Sequence, residues 1–230
     1  MLKGATIVFD LDGTLVDTAP DLTNALNDVL SRRGYAPVPP AAVREAVGRG
    51  ARVMIEEALR LTNAAGDVDQ MLTEFLVHYE ANIAAESRPF PGAVAALERL
   101  SSAGATLAVC TNKRERLTLM LLQALDLEDY FSAVAGRDTL GVSKPDPGHL
   151  TGVIARAGGS PSRAVMVGDS DVDIMAARAA RVPAILVSFG YAPPPPEGPL
   201  PDAVIDHFDA LEGNVLSLLK GLTTKAVTPF

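Results

Sequence analysis

Short apolar runs recur along the chain, and several stop abruptly at a polar or acidic residue. Ala5-Thr6-Ile7-Val8-Phe9, Thr106–Cys110, Ala133–Ala135, Ala164–Val167, Ala184–Val187 and Ala203–Ile205 have the length of buried strands rather than helices. Helical spacing falls between them, over Ala93–Ser102, Arg114–Leu125, Pro147–Ala157 and Asp171–Arg178. Such alternation predicts an α/β fold with a parallel sheet and helices on both faces. From Val16 to about Pro89 the strands disappear. Thr18-Ala19-Pro20-Asp21 reads as a helix N-cap with an acid three residues on, and Leu22, Leu26, Val29 and Leu30 then share one face. Gly34 and the prolines at 37, 39 and 40 end that helix, and the pattern predicts further helices over Ala41–Ala46, Ala51–Leu61 and Val68–Ala85. The chain thus divides into a discontinuous core, residues 1–16 and 89–230, and a small helical insert, residues 17–88. Because the insert leaves directly after the first strand, it should sit over the carboxyl edge of the sheet as a cap.

The first strand runs straight into Asp10-Leu11-Asp12-Gly13-Thr14. Alternation along an extended chain puts Asp10 and Asp12 on one side, Gly13 permits a tight turn, and Thr14 offers a hydroxyl beside them. Alone, this is equally a polar Asp-Gly turn. A second acid group, Gly168-Asp169-Ser170-Asp171-Val172-Asp173, also follows an apolar run. Helix capping accounts for one of those acids and poorly for the set. If the two strands are neighbours, their carboxylates converge where open α/β sheets bind ligands. Two carboxylates about 4 Å apart repel by about 4 kcal/mol at an effective dielectric of 20, so the cluster needs protons or a cation. Hard oxygen donors around an open position suit Mg2+. Such an ion attracts phosphate. Thr111-Asn112, after another strand, and Lys144, held extended by Pro145, are the groups available for its remaining oxygens.

Taken together and in order, Asp10-Leu11-Asp12-Gly13-Thr14, Thr111, Lys144-Pro145 and Gly168-Asp169 with Asp173 resemble the four motifs of the haloacid dehalogenase superfamily of aspartate-nucleophile phosphotransferases. The resemblance runs from about Ile7 to about Leu211. Thr111-Asn112-Lys113, Lys144-Pro145-Asp146-Pro147 and Val47-Gly48-Arg49-Gly50 are most similar to the phosphoglycolate phosphatases of that superfamily. The likeness implies a Rossmann-like core, a metal held by the Asp10 carboxylate, the Asp12 main-chain carbonyl and Asp169, and support from Asp173. It further implies Asp10 as nucleophile, Asp12 as acid and base, and Thr111 and Lys144 as phosphoryl ligands. Asp171 departs from the pattern and reads as an early-helix charge. In the cap, the Gly48-Arg49-Gly50 loop is a candidate substrate contact, with Arg49 or Arg52 pairing to a substrate carboxylate; an inter-helix turn with solvated arginines fits the same residues. Thr14 and Asn112 complete the expected substrate contacts.

The substrate class most in keeping with these groups is a small phosphoester such as 2-phosphoglycolate. A mutase, a phosphatase for sugar phosphates, nucleotides or pyrophosphate, and a non-catalytic binding module remain open. No Lys lies between Lys3 and Lys113, which closes the cap-lysine Schiff-base chemistry of a phosphonate hydrolase. A net charge of −8 argues against nucleic-acid and anionic-membrane partners. The chain, with a single cysteine and no long apolar stretch, is expected to be a cytoplasmic monomer or homodimer. Cys110 ends an apolar strand and reads as a small buried hydrophobe. His78, His149 and His207 read as packing or surface residues. Ala192-Pro193-Pro194-Pro195-Pro196 reads as an extended surface loop.

Overall fold

A computed structural model describes residues 2–191, 198 and 200–225 of the chain. The proline run at 192–196 lies outside the described residues. Six parallel strands form the central sheet: β1 (Thr6–Phe9), β4 (Thr106–Cys110), β5 (Ala133–Ala135), β6 (Ala164–Gly168), β7 (Ala184–Val187) and β8 (Ala203–Ile205). Their order is β5-β4-β1-β6-β7-β8, so β1 lies between β4 and β6.

All of β1 is buried because both faces of the sheet are covered. Ile7 and Phe9 enter one core with α5 (Ala93–Ser102), α6 (Glu115–Ala124) and α9 (Leu211–Lys225). Val8 enters the other, with α7 (Pro147–Arg156) and α8 (Asp171–Ala179). Burying each such Ile, Val or Phe side chain contributes about 1.5–3 kcal/mol. The helix α9 lies largely beyond the region where the motif resemblance applies, and it completes the first core through Leu211, Val215 and Leu219.

Helices α1 (Ala19–Ser31), α2 (Pro40–Val47), α3 (Ala51–Leu61) and α4 (Val68–Ala81) bury an apolar centre of their own that includes Leu26, Ile55, Met71, Phe75 and Tyr79. The two connections to this insert pair as a short antiparallel ribbon, β2 (Val16–Asp17) with β3 (Arg88–Pro89). Two local expectations are corrected here. Helix α4 ends at Ala81, not Ala85, because the chain must turn so that the Glu86 and Ser87 amides reach the buried Asp21. Asp21 also accepts from the Ser87 hydroxyl at 2.6 Å, so this acid joins the two connections. Thr18 does stand at the start of α1, but its side chain makes no cap; its hydroxyl donates to Asp12 Oδ1 at 2.8 Å.

Candidate active site

The carboxyl ends of β1, β4 and β6 are adjacent, and each delivers a chemical group to one place. Asp10 follows β1 and is fixed by its own N–H, which donates to the Val167 carbonyl at 2.9 Å. Asp169 follows β6. One of its oxygens accepts from Thr14 Oγ1 at 3.2 Å and the other from the Tyr191 N–H at 2.8 Å. Gly13 has φ +82°, and a Cβ there would stand 2.5 Å from Asp169 Oδ2, so only glycine lets this turn close over the acid. Asp173 sits in the first turn of α8, where its Oδ2 accepts from Ser170 N and Oγ in a capping box. Oxygens of Asp10, Asp169 and Asp173 lie within 4.8 Å of one another, and all three residues are buried. Asp171, by contrast, is a partly exposed first-turn acid of α8.

Lys144 reaches into this cluster from the loop after β5. Its Nζ lies 2.9 Å from Asp10 Oδ1 and 2.6 Å from Asp173 Oδ1, with the side chain fully enclosed. The two neighbouring acids hold the lysine charged, against the pull of burial. Three acids and one cation leave excess negative charge. Burial, offset in part by Lys144, pushes the Asp10 carboxyl up to about 6. Burial and the neighbouring acids Asp173 and Asp10 push Asp169 up to about 8. A buried set of hard oxygen donors with this surplus suits a divalent cation.

Thr111 is buried at the end of β4, its N–H donating to the Ala135 carbonyl at 3.0 Å and its hydroxyl accepting from Lys113 N at 3.2 Å. The Asn112 side-chain amide donates to the carbonyls of Lys144 at 3.1 Å and Gly48 at 3.2 Å, so it ties a core loop to the cap. A Cβ at Gly48 would meet the Ser170 side chain at an ordinary contact distance of 3.6 Å. Gly50, with φ +95°, passes over Arg137. The cap loop is therefore held to the core chiefly by the Asn112 hydrogen bond to Gly48. Arg49 is exposed and does not line the cavity described next, whereas Arg52 lines it and pairs with Asp69 on the cap surface.

Between cap and core lies a cavity of about 410 Å³. Asp12, Asn112, Lys113, Arg114, Arg137 and Arg52 are among its polar lining residues, and Phe75, Tyr79 and Leu117 are among the others. Cys110 is buried and its thiol pushed up to about 12 by desolvation, so it supplies no nucleophile. His149 is buried with Nε2 at 3.1 Å from the Gly136 carbonyl, and burial lowers it to about 4.

A family model for haloacid dehalogenase-like hydrolases matches residues 7–187. The chain belongs to the haloacid dehalogenase-like hydrolase family. It is 50% identical over 208 residues to a phosphoglycolate phosphatase of Mesorhizobium japonicum, which covers 89% of this chain and 92% of that protein. It is 49% identical over 210 residues to one of Caulobacter vibrioides, covering 90% and 89%. The crystal structure of a predicted phosphoglycolate phosphatase from Haemophilus somnus superposes with a TM-score of 0.84 at 28% identity, covering 93% of this chain and 98% of that one.

Sequence reasoning gave no role to several residues that this hydrolase brings to the site. Lys113 Nζ lies 2.9 Å and 3.0 Å from the two oxygens of Asp12 and 4.6 Å from the Tyr79 ring centroid. Tyr191 donates from its hydroxyl to Asp17 at 2.6 Å and accepts from Ala19 N at 2.8 Å, while its own N–H holds Asp169. It therefore links the acid cluster to the start of the cap. Lys113 stood inside the Thr111-Asn112-Lys113 stretch, which was a signal. Tyr191 had none, because its partners are remote in sequence.

Proposed function

We propose that the protein is a magnesium-dependent phosphatase that cleaves 2-phosphoglycolate or a similarly short phosphoacid through an aspartyl-phosphate at Asp10. The enzyme is a phosphoric monoester hydrolase, and the finer reading rests on one observation. Asp10, Asp169, Asp173 and Lys144 converge at the sheet edge, directly beneath the cap of a chain about half identical to proteins named phosphoglycolate phosphatase.

In this reading the Asp10 and Asp169 carboxylates and the Asp12 main-chain carbonyl hold the ion, with Asp173 acting through Lys144. When bound, the ion lowers the negative charge that phosphorus presents to an approaching anion. Asp10 forms a bond to phosphorus as the ester oxygen departs, and Asp12 gives that oxygen its proton. Water then attacks the acyl-phosphate, losing a proton to Asp12, and the bond between phosphorus and Asp10 breaks. Thr111 and Lys144 hold the phosphoryl oxygens during both steps. Thr14 orients Asp169. Asn112 and the Gly48 carbonyl keep the cap loop over the site, with Arg49 in that loop and Arg52 in the first turn of α3 as the cationic side chains there.

Phosphate release from phosphoglycolate, in the presence of Mg2+, should exceed that from sugar phosphates, nucleotides and pyrophosphate, and a chelator should remove it. A sugar phosphate or nucleotide turned over about tenfold more efficiently would overturn the substrate assignment. Release indifferent to chelator would overturn the metal.

Metal binding should also follow pH in a defined direction. Asp169 and Asp10, raised to about 8 and about 6, bind protons more tightly in the fold than in the unfolded chain. Without metal each destabilises the fold as pH climbs from the ordinary aspartate value of 3.8 to its own raised value, by up to about 1.4 kcal/mol per pH unit, so the loss from Asp10 is complete near pH 6 and that from Asp169 near pH 8. Mg2+ requires the ionised forms, so the rise in Tm on adding it should be larger at pH 8.5 than at pH 6. Thermal melts with Mg2+ and with chelator at both values check this, and an Mg2+ shift that shrinks as pH rises would contradict it.

A further inference from the structure

We infer that Lys113 of the core, together with Tyr79 of the cap, reads the anionic group on the leaving side of the substrate. The inference rests on the phosphatase reading above and names the residues that would give it selectivity for a phosphoacid. Lys113 is a cation in an unusual place. The Lys113 side chain is 5% exposed, yet it lines the cavity and contacts both oxygens of Asp12. Asp12 is the group assigned to the leaving oxygen, so Nζ stands one side chain away from that oxygen. In phosphoglycolate a single methylene carbon separates the ester oxygen from the carboxylate. A substrate whose ester oxygen meets Asp12 therefore brings its carboxylate to the neighbourhood of Lys113.

The chemistry of this corner matches that visitor. An ammonium group has three donors; two contacts go to Asp12 and the third faces Tyr79, so a carboxylate arriving here meets the cation and the tyrosine hydroxyl together. Tyr79 lies beside the cation, 1% exposed and lining the same cavity, with its hydroxyl turned to the Lys113 ammonium and its own proton given to no acceptor. Buried hydroxyls whose proton has no acceptor are uncommon, and this one sits where a carboxylate would accept from it. The other cavity cations are placed less well. Arg52, Arg114 and Arg137 are all exposed, and Arg52 is paired with Asp69. Within the low-dielectric corner, a carboxylate held by Lys113 and Tyr79 gains charge-assisted hydrogen bonds that an uncharged leaving group does not.

The test compares phosphoglycolate with ethyl phosphate, in which a methyl group replaces the carboxylate, using the Mg2+-loaded enzyme. The readout is the ratio of the two kcat/KM values, which cancels any damage common to both substrates. The wild type should favour phosphoglycolate. Lys113→Met should lower the ratio by about ten- to a hundredfold, the worth of a charge-assisted hydrogen bond, and Lys113→Arg should restore part of it. Tyr79→Phe, which removes only the hydroxyl and keeps the ring, should lower the ratio by a few fold and keeps the test available if Lys113→Met does not fold. A ratio unchanged in Lys113→Met and Tyr79→Phe, or unchanged in Tyr79→Phe with no folded Lys113→Met, overturns the inference and leaves the phosphatase reading intact. A wild type that hydrolyses other phosphoesters and shows no preference for phosphoglycolate overturns both the substrate reading and this inference.

Discussion

Asp10→Asn should abolish turnover on every phosphoester, with kcat falling by more than about ten-thousandfold, the scale on which loss of a covalent nucleophile is felt. An amide oxygen is far too weak a nucleophile to form the first bond to phosphorus, and no neighbouring group replaces it. Asp169 accepts hydrogen bonds from Thr14 and Tyr191, and Asp173 from Lys144 and Ser170. The fold should survive, because Asn has nearly the volume of Asp and Lys144 keeps Asp173 as a partner. The metal-free variant should in fact melt no lower than the wild type near pH 7.5. Burial raises Asp10 to about 6, so above that value its ionisation opposes folding and the amide removes the opposition. Steady-state assays beside thermal melts separate the two effects; a dead enzyme that is also unfolded would not support the assigned role.

Asp12→Asn should fail differently. Here the nucleophile remains and what is lost is proton transfer to the leaving oxygen and from the attacking water, typically worth about a hundred- to ten-thousandfold. With an aryl phosphate the leaving oxygen departs without a proton donor, so the first step proceeds and the second stalls. A burst of phenol followed by slow turnover is the expected trace. The substitution also leaves Lys113 buried beside a neutral amide, so some stability should go with it. Equal loss of both steps, with no burst, would remove Asp12 from the second step.

Much of this architecture was legible because its causes are local. Strand lengths, the alternation of strand and helix, and the helical insert all follow from apolar spacing over a few residues. Asp10 and Asp169 stood out because acids directly after buried strands have no packing reason to be there. What remained hidden depends on pairs distant along the chain. Asp21 looks like a first-turn helix acid until the fold brings Glu86 and Ser87 to it. Thr18 looks like a cap until Asp12 competes for its hydroxyl. Glycines at 48 and 50 suggested a loop over the substrate, but which side chains line the cavity depends on the angle at which α3 leaves that loop. That angle is tertiary, and it puts Arg52 at the wall and Arg49 outside it. Lys113 was visible as part of a short stretch, yet its partnership with Asp12 spans about a hundred residues of chain.

The central claim is that phosphate passes through a covalent bond to Asp10. Its most direct test is to mix the Mg2+-loaded enzyme with phosphoglycolate, quench with acid during turnover, and map the modified peptide by mass spectrometry. The account predicts one phosphate adduct, on the peptide carrying Asp10, labile at alkaline pH as an acyl-phosphate is, and absent from Asp10→Asn. An adduct on another residue, or rapid turnover with no adduct in wild type or in Asp12→Asn, would contradict it.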